Sequence, residues 1–156
     1  MNYREWEQNV PAEITGDRLW KMEVYRLALF ASDLAWPDAT KLIQDRRTLR
    51  LSDQLYRAVG SVSANITEGY SRGTGKDRAR FYEYALGSAR EGRDWYYKGR
   101  HVPGETVTSH RLKLLTQIIR LLLTIIPAQR GAALKEETAN YTDITPDLLT
   151  EVPLPD

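Results

Sequence analysis

The stretch that decides the fold runs from Arg57 to Asp94 and reads RAVGSVSANITEGYSRGTGKDRARFYEYALGSAREGRD. Its first part carries an apolar and a polar series, each at helical spacing. The apolar series is Ala58, Val62, Ile66 and Gly69, and the polar series is Ser61, Asn65, Glu68 and Arg72. A glycine-rich turn at 71–75 follows, and the second part is rich in small residues that let another helix approach closely. The stretch therefore predicts two tightly packed helices.

Apolar periodicity over the whole chain predicts four helices, at about 19–35, 49–70, 75–100 and 107–126. Thr74 is expected to cap the third helix, with Asp77 three residues later. The third helix is expected to bury one face, formed by Phe81, Ala85, Ser88, Gly92 and Trp95. Pro37 should end or kink the first helix, although it could itself start a new turn that runs through Leu42. Pro127 should follow the end of the fourth helix. These features predict an all-α domain.

The domain organisation follows from these limits. We expect an N-terminal extension at 1–18, the bundle at 19–126, and an acidic, proline-containing extended tail at 127–156. Within the tail, Thr145 and Pro146 are expected to begin one short helical turn that docks Leu148 and Leu149 on a surface. A solvated tail without fixed structure is the alternative.

The fourth predicted helix is apolar on two sides. One stripe is Leu112, Leu115, Ile119, Leu122 and Ile126, and the other is Leu114, Ile118, Leu121 and Ile125. A single bundle core requires only one such stripe. We interpret the second stripe as an oligomer interface, the alternative being a wide core within one chain.

Composition and charge limit the kind of protein. The 156 residues include no cysteine, which excludes disulfides, thiolate zinc sites and thiol nucleophiles. The polar, acidic start does not resemble a signal peptide, and the apolar run at 112–126 contains Lys113 and Arg120. That run is also shorter than the ~20 residues that cross a bilayer. We therefore expect a cytoplasmic protein without a membrane role.

The net charge of +1 conceals an uneven distribution. Residues 46–100 hold 12 basic and 6 acidic side chains, whereas residues 131–156 hold 1 and 6. A basic middle beside an acidic end favours either a surface that binds polyanions or a basic body neutralised by its own tail.

No motif predicts catalysis. The GYSRGTGKD segment differs from a phosphate-binding loop because five residues separate Gly69 from Gly75 and Asp77 replaces the metal-binding Ser or Thr. No glutamate has a histidine three positions later, as a carboxylate-bridged dimetal bundle would require. His101 and His110 are expected to be solvated turn residues. We predict no catalytic residue, no metal site and no cofactor.

Two glutamates are the remaining candidates for acid–base chemistry. Glu68 and Glu91 could form a carboxylate pair across the second and third helices, although we expect such carboxylates to pair with arginines such as Arg57 or Arg72. A hydrolase that uses both glutamates is therefore our third hypothesis.

Cations and aromatic rings crowd the second turn. The cations are Arg72, Lys76, Arg78 and Arg80, and the rings nearby in sequence are Tyr70, Tyr82, Tyr84, Trp95, Tyr96 and Tyr97. This combination suits a nucleic-acid backbone with unstacked bases. A solvated basic face whose tyrosines close the core remains the alternative.

Three motifs together carry a family resemblance. They are QLYRAVGSVSANITEG on the second helix, the arginine of YSR after it, and RFYEYALGSARE on the third helix. With these the chain resembles the four-helix bundle proteins first noticed as products of intervening sequences in bacterial 23S ribosomal RNA genes. It is also similar to the accessory variability proteins of diversity-generating retroelements, which bind nucleic acid and a reverse transcriptase.

The resemblance implies an antiparallel up-down four-helix bundle that forms a ring-like homopentamer and has no known enzymatic activity. It also implies which positions belong to the family pattern: Arg57, Ser61, Asn65, Glu68, Gly69, Arg72, Gly87, Ser88 and Glu91.

The sequence and the resemblance together predict a non-catalytic oligomeric scaffold or adaptor. It would bind RNA, other single-stranded nucleic acid, or a nucleic-acid enzyme such as a reverse transcriptase. The residues expected to bind nucleic acid are Arg57, Arg72, Lys76, Arg78 and Arg80. The alternative is a protein-interaction module whose tail docks on a neighbouring subunit or a partner.

Overall fold

The computed structural model describes residues 1–131 and 147–156, in which every regular element is helical. The α-helices are α1 (Tyr3–Gln8), α2 (Ala12–Thr15), α3 (Glu23–Ile43), α4 (Leu49–Tyr70), α5 (Gly75–Lys98), α6 (Glu105–Arg130) and α7 (Asp147–Thr150). Helix α4 packs against α3 and α5, α5 packs against α6, and α3 meets α6. Short connections link these four neighbours, so consecutive helices run antiparallel. The predicted all-α bundle is confirmed.

The α4–α5 pair matches the prediction most closely. Helix α4 has the predicted limits, and the side-chain oxygen of Thr74 accepts a hydrogen bond from the Asp77 amide at 3.2 Å. A Cβ added to Gly92 would lie 3.0 Å from a methyl group of Val59. One added to Gly69 would lie 2.7 Å from the ring of Tyr82. The two helices therefore approach closely at both glycines.

The buried face of α5 differs from the predicted one. Phe81, Ser88 and Trp95 are partly exposed, and only Ala85 and Gly92 of the predicted set are buried. The buried residues are Ala79, Tyr82, Ala85, Leu86, Ala89, Gly92 and Tyr96. The face turns by about one residue because the small residues bring α5 against α4, and Tyr82 and Tyr96 fill the space beside them.

Both prolines lie inside helices, so the predicted limits there are wrong. Helix α3 continues through Pro37 to Ile43, and α6 continues through Pro127 to Arg130. A proline removes one helical hydrogen bond but leaves the residues after it free to be helical. Burial of Asp38 and Leu42 holds α3 in helical register beyond Pro37.

The N-terminal residues that we predicted as an extension pack on α3. Asn2 caps α1 through a reciprocal pair of hydrogen bonds with Glu5. Trp6 is buried against the ring of Phe30, and its indole nitrogen donates to Asp33 at 2.5 Å. The hydrophobic core therefore includes the start of the chain.

Helix α6 buries two of the four residues that were predicted to form an oligomer interface. Leu114 and Ile118 are buried in the same core cluster as Phe30, and Leu121 and Ile125 are partly buried against it. The assignment of Leu114 and Ile118 to a subunit interface is therefore wrong, because the chain's own core covers them. By length and composition alone α6 could cross a membrane, a property that the core helix of a bundle shares.

One ion pair is fully buried between α3 and α6. Asp38 is 0% exposed and Arg111 is 1% exposed. The carboxylate accepts from Arg111 Nε at 2.7 Å, from Arg111 Nη2 at 3.1 Å and from the hydroxyl of Tyr96 on α5 at 2.7 Å. Burial raises the pKa of Tyr96 well above its usual range, so this hydroxyl keeps its proton and donates.

Arg111 also fixes the state of the neighbouring histidine. Its Nη1 donates to Nδ1 of His110 at 2.9 Å, and because a guanidinium has no acceptor, the histidine proton must lie on Nε2. Nε2 then donates to the carbonyl of Leu148 at 2.8 Å. His110 is buried, so its assignment as a solvated turn residue is wrong; His101 is exposed as expected.

The C-terminal segment 147–156 docks on this network. Leu148 is buried beside His110, and the carbonyl of Pro153 accepts from Arg111 at 2.9 Å. The predicted short helix and the docking of Leu148 are confirmed, with the dock lying on the chain itself. Leu149 packs only partly against the core. The predicted roles of Thr145 and Pro146 lie outside the described residues.

Two glycines provide a matched test of the α4–α5 packing. We expect Gly69→Ala to lower the free energy of unfolding by about 1–3 kcal/mol, because its methyl group would overlap the Tyr82 ring. A Cβ added to Gly87 would enter open space. Gly87→Ala should therefore raise the free energy of unfolding by up to about 1 kcal/mol through helix propensity. Urea unfolding measures both, and equal effects would contradict the packing.

The contacts of His110 and Arg111 that hold the C-terminal segment should weaken in acid. Burial lowers the pKa of His110, and the charges of Arg111 and Lys113 lower it further, against the hydrogen bond to Leu148 and the charge of Asp38, which raise it. The folded state therefore binds the proton less readily than the unfolded chain. Stability should fall as the pH drops below about 6.5 and level off below the folded pKa.

The measurement is hydrogen exchange of residues 147–156 between pH 8 and pH 5, corrected for intrinsic rates. His110→Gln is the control, because an amide can accept from Arg111 and donate to Leu148 without titrating. Asp147 and Glu151 line the same cavity as His110, and both are present in the two proteins. An identical pH profile in the two proteins would contradict the prediction that protonation of His110 releases the segment.

Candidate nucleic-acid interface

Four of the five predicted nucleic-acid-binding residues lie at one end of the bundle. Arg72 is in the turn after α4, and Lys76, Arg78 and Arg80 are in the first two turns of α5. Arg78 is partly buried, and the other three are exposed. Arg57 lies about 20 Å away along α4, because each helical residue rises 1.5 Å. The structure therefore groups four cations and separates the fifth.

Phe81 is the centre of the cluster. The guanidinium carbons of Arg72 and Arg80 lie 4.5 and 5.3 Å from the centroid of its ring. The exposed ring of Tyr84 meets Phe81 edge to face, with centroids 5.6 Å apart. Cation–π contacts hold the two arginines at the surface without neutralising them. We call Arg72, Lys76, Arg80, Phe81 and Tyr84 the ring-and-cation cluster.

Two contacts limit the charge that is available. Glu68 pairs with Arg72 at 3.2 Å, one helical turn away, as predicted for this carboxylate. Arg78 donates from Nε to the carbonyl of Arg72 at 2.9 Å, so its side chain also closes the turn. Lys76 and Arg80 form no ion pair with any residue in the described ranges. These two are the cations most open to an anion.

The C-terminal end of helix α6 packs against α5 at this end of the bundle. A Cβ on Gly75 would lie 2.1 Å from the carbonyl of Gln129, so the start of α5 touches the backbone of α6. Arg130 pairs with Glu83 of α5 at 2.5 Å. The ring-and-cation cluster therefore stands on rigid elements.

The family-pattern residues divide into packing and surface positions. Ser61 donates to the carbonyl of Arg57 at 2.7 Å, and Asn65 donates to that of Ser61 at 2.9 Å, so both polar groups bond within α4. Gly69 is the close-packing position described above. Gly87 and Glu91 are exposed, and Ser88 is partly buried.

The two glutamates lie at different levels along the α4–α5 pair. Gly92 lies beside Val59 and Tyr82 lies beside Gly69, which sets the register of the antiparallel pair. Glu91 is therefore level with residue 60, about 12 Å along α4 from Glu68. Carboxylates that act together on one bond are roughly 5–9.5 Å apart. Across 1–131 and 147–156, no group of three or more His, Cys, Asp or Glu side chains could hold a metal ion.

Sequence reasoning found the cations but missed the ring that organises them. Phe81 was assigned to a buried face, whereas it lies between two guanidinium groups. Phe81 lies one residue after Arg80 and nine after Arg72. This spacing indicates a contact with both arginines only when the geometry of the turn is known.

Comparison with known proteins gives one family. No curated protein and no solved structure matches the chain. The family model described as 23S rRNA-intervening sequence protein matches residues 21–124. This range runs from the turn before α3 almost to the end of α6, and it includes the ring-and-cation cluster. Since the match covers two thirds of the sequence, the chain belongs to the 23S rRNA-intervening sequence protein family.

Proposed function

We propose that the protein is a non-catalytic scaffold or adaptor that binds single-stranded RNA through the ring-and-cation cluster. The observation that carries the proposal is the contact of Arg72 and Arg80 with Phe81 at an exposed end of the bundle. Arg72, Lys76 and Arg80 would neutralise phosphates, and the exposed ring of Tyr84 would stack on a base.

Contacts of this kind are individually weak. We propose that several copies of the chain, five by the family likeness, present the cluster together, so that the contacts add as avidity. Leu114 and Ile118 are closed to such an assembly, and the copies would have to meet through other surfaces. A reverse transcriptase, the partner of the similar retroelement accessory proteins, is one enzyme that such a scaffold would deliver to RNA.

A protein-interaction module without a nucleic-acid role is the second candidate. The sequence led us to expect that the tail of such a module docks on a neighbouring subunit or a partner. Residues 147–156 instead dock on their own chain through His110 and Arg111. What supports this candidate instead is an apolar cleft at the other end of the bundle, described below.

Charge reversal tests the RNA proposal. We expect Arg72→Glu with Arg80→Glu to weaken binding of a fluorescein-labelled single-stranded RNA of mixed sequence at least about tenfold. The slope of log affinity against log salt should also become shallower by about 2, one for each lost phosphate contact. Fluorescence anisotropy at several salt concentrations measures both quantities.

The matched control is Arg46→Glu with Arg50→Glu, which makes the same charge change at the opposite end. Equal loss in both double variants would show attraction to net charge and contradict a local site. Tyr84→Ala should weaken binding without changing the salt slope, since it removes stacking alone. Circular dichroism confirms that each variant keeps its helices.

A further inference from the structure

An apolar cleft of about 360 Å³ opens between α3 and α4, at the end of the bundle away from the ring-and-cation cluster. Trp36 is 67% exposed, Ile43 is 55% exposed and Leu49 is 51% exposed, and Tyr56 lies beside them. Among the described residues, these four make up half of the exposed large apolar side chains. Exposed apolar groups that converge in this way mark interaction sites.

Helix periodicity explains why these residues meet. Trp36, Thr40 and Ile43 follow one another at i, i+4 and i+7 on α3, and Leu49, Asp53 and Tyr56 do so on α4. The short turn at 44–48 brings the two stripes side by side. The rings of Trp36 and Tyr56 are 5.9 Å apart and nearly perpendicular. The cleft is therefore formed by rigid helices.

The two aliphatic hydroxyl groups in the cleft are already bonded. Thr40 donates to the carbonyl of Trp36 at 2.9 Å, and Ser52 donates to the carbonyl of Ala39 at 3.1 Å. Asp53 is the single charged residue in the lining. The cleft therefore offers apolar contact area above all, which suits the apolar face of a peptide helix laid in a groove.

Two arginines flank the cleft and form what we call its rim. Arg46 lies in the turn between the stripes, and Arg50 follows Leu49 on the solvent side of α4; both are exposed. Neither forms an ion pair or hydrogen bond that involves its side chain within the described ranges. Arg47, by contrast, is engaged by Asp45 at 2.6 Å, and its hydrogen bonds hold the pKa of Asp45 at about 2. Two cations are thus available beside the apolar groups.

We propose that this cleft docks an acidic, amphipathic segment of a partner protein. Apolar side chains of the segment enter between Trp36, Leu49 and Tyr56, and its carboxylates face Arg46 and Arg50. The proposal does not depend on RNA binding, because it concerns the opposite end of the bundle and other residues.

Charge and lining distinguish this occupant from two others. A nucleic acid would gain little from the aliphatic side chains of Ile43 and Leu49, which offer no ring for a base to stack on. A second copy that used the same cleft in a symmetric dimer would place Arg46 and Arg50 against their own equivalents, which repel. The head-to-tail contact of a ring is the outcome that the Leu49→Glu measurement below tests. An acidic peptide satisfies both the apolar lining and the rim.

The test is selection of a random 12-residue peptide phage library on the full-length protein, with counter-selection on Trp36→Ala. We expect the peptides that depend on Trp36 to hold more Asp and Glu than Lys and Arg, with large apolar residues three or four positions apart. Synthetic versions of these peptides should bind Trp36→Ala at least about tenfold more weakly, as loss of a hot-spot aromatic does.

The variants used above complete the design. Arg46→Glu with Arg50→Glu should weaken the peptides several-fold, while Arg72→Glu with Arg80→Glu should leave them unchanged. Tyr84→Ala is the matched control for loss of an exposed ring elsewhere, and it should also have no effect.

Three results would overturn the proposal. The first is a selection that yields no Trp36-dependent peptides, or peptides without an acidic bias. The second is loss of labelled RNA binding in Trp36→Ala, which would make the cleft a nucleic-acid site. The third is a fall in the light-scattering mass of Leu49→Glu, which would assign the cleft to a second copy of the chain. Circular dichroism shows whether each variant is folded.

Discussion

The buried ion pair of Asp38 and Arg111 is the constraint on which the rest of this structure depends. Removing two charges from water costs several kcal/mol for each, and the cost is offset only when every bonding group is satisfied. Here the carboxylate accepts three hydrogen bonds, and the guanidinium reaches Asp38, His110 and Pro153. A shift of α3 or α6 along its axis would leave a buried charge unpaired, and a shift of α5 would remove the Tyr96 hydroxyl from the carboxylate. The pair therefore fixes the register of three helices and the position of the C-terminal segment.

Local pattern was enough to predict the centre of the chain. Helix α4 and the start of α5 have strong periodicity, a glycine-rich turn and a capping threonine, all of which act over a few residues. The helix limits predicted at the two prolines were wrong because they depend on contacts that are distant in sequence. Whether a helix continues past Pro37 depends on the burial of Asp38, whose partner Arg111 lies 73 residues further along the chain. His110 was misread in the same way, because its contact with Leu148 is invisible at short range.

The candidate sites show the same limit. The cations after α4 are evident in the sequence, yet the contact of Phe81 with Arg72 requires knowledge of how the turn folds. The cleft at Trp36 was missed altogether, because each of its two stripes looks like an ordinary helix face. The second apolar stripe of α6 was visible, but its interpretation as a subunit interface ignored the apolar residues outside the four main helices. Trp6 and Leu148 join the same core cluster and widen it beyond what four helices alone would form.

The C-terminal segment is held chiefly through its main chain. His110 and Arg111 bind the carbonyl oxygens of Leu148 and Pro153, which every amino acid possesses. Only Leu148 contributes a deeply buried side chain. The segment can therefore change at exposed positions such as Asp147 and Glu151 and still dock on the same two residues. This part of the molecule is consequently free to diverge in sequence while the two residues that hold it stay fixed.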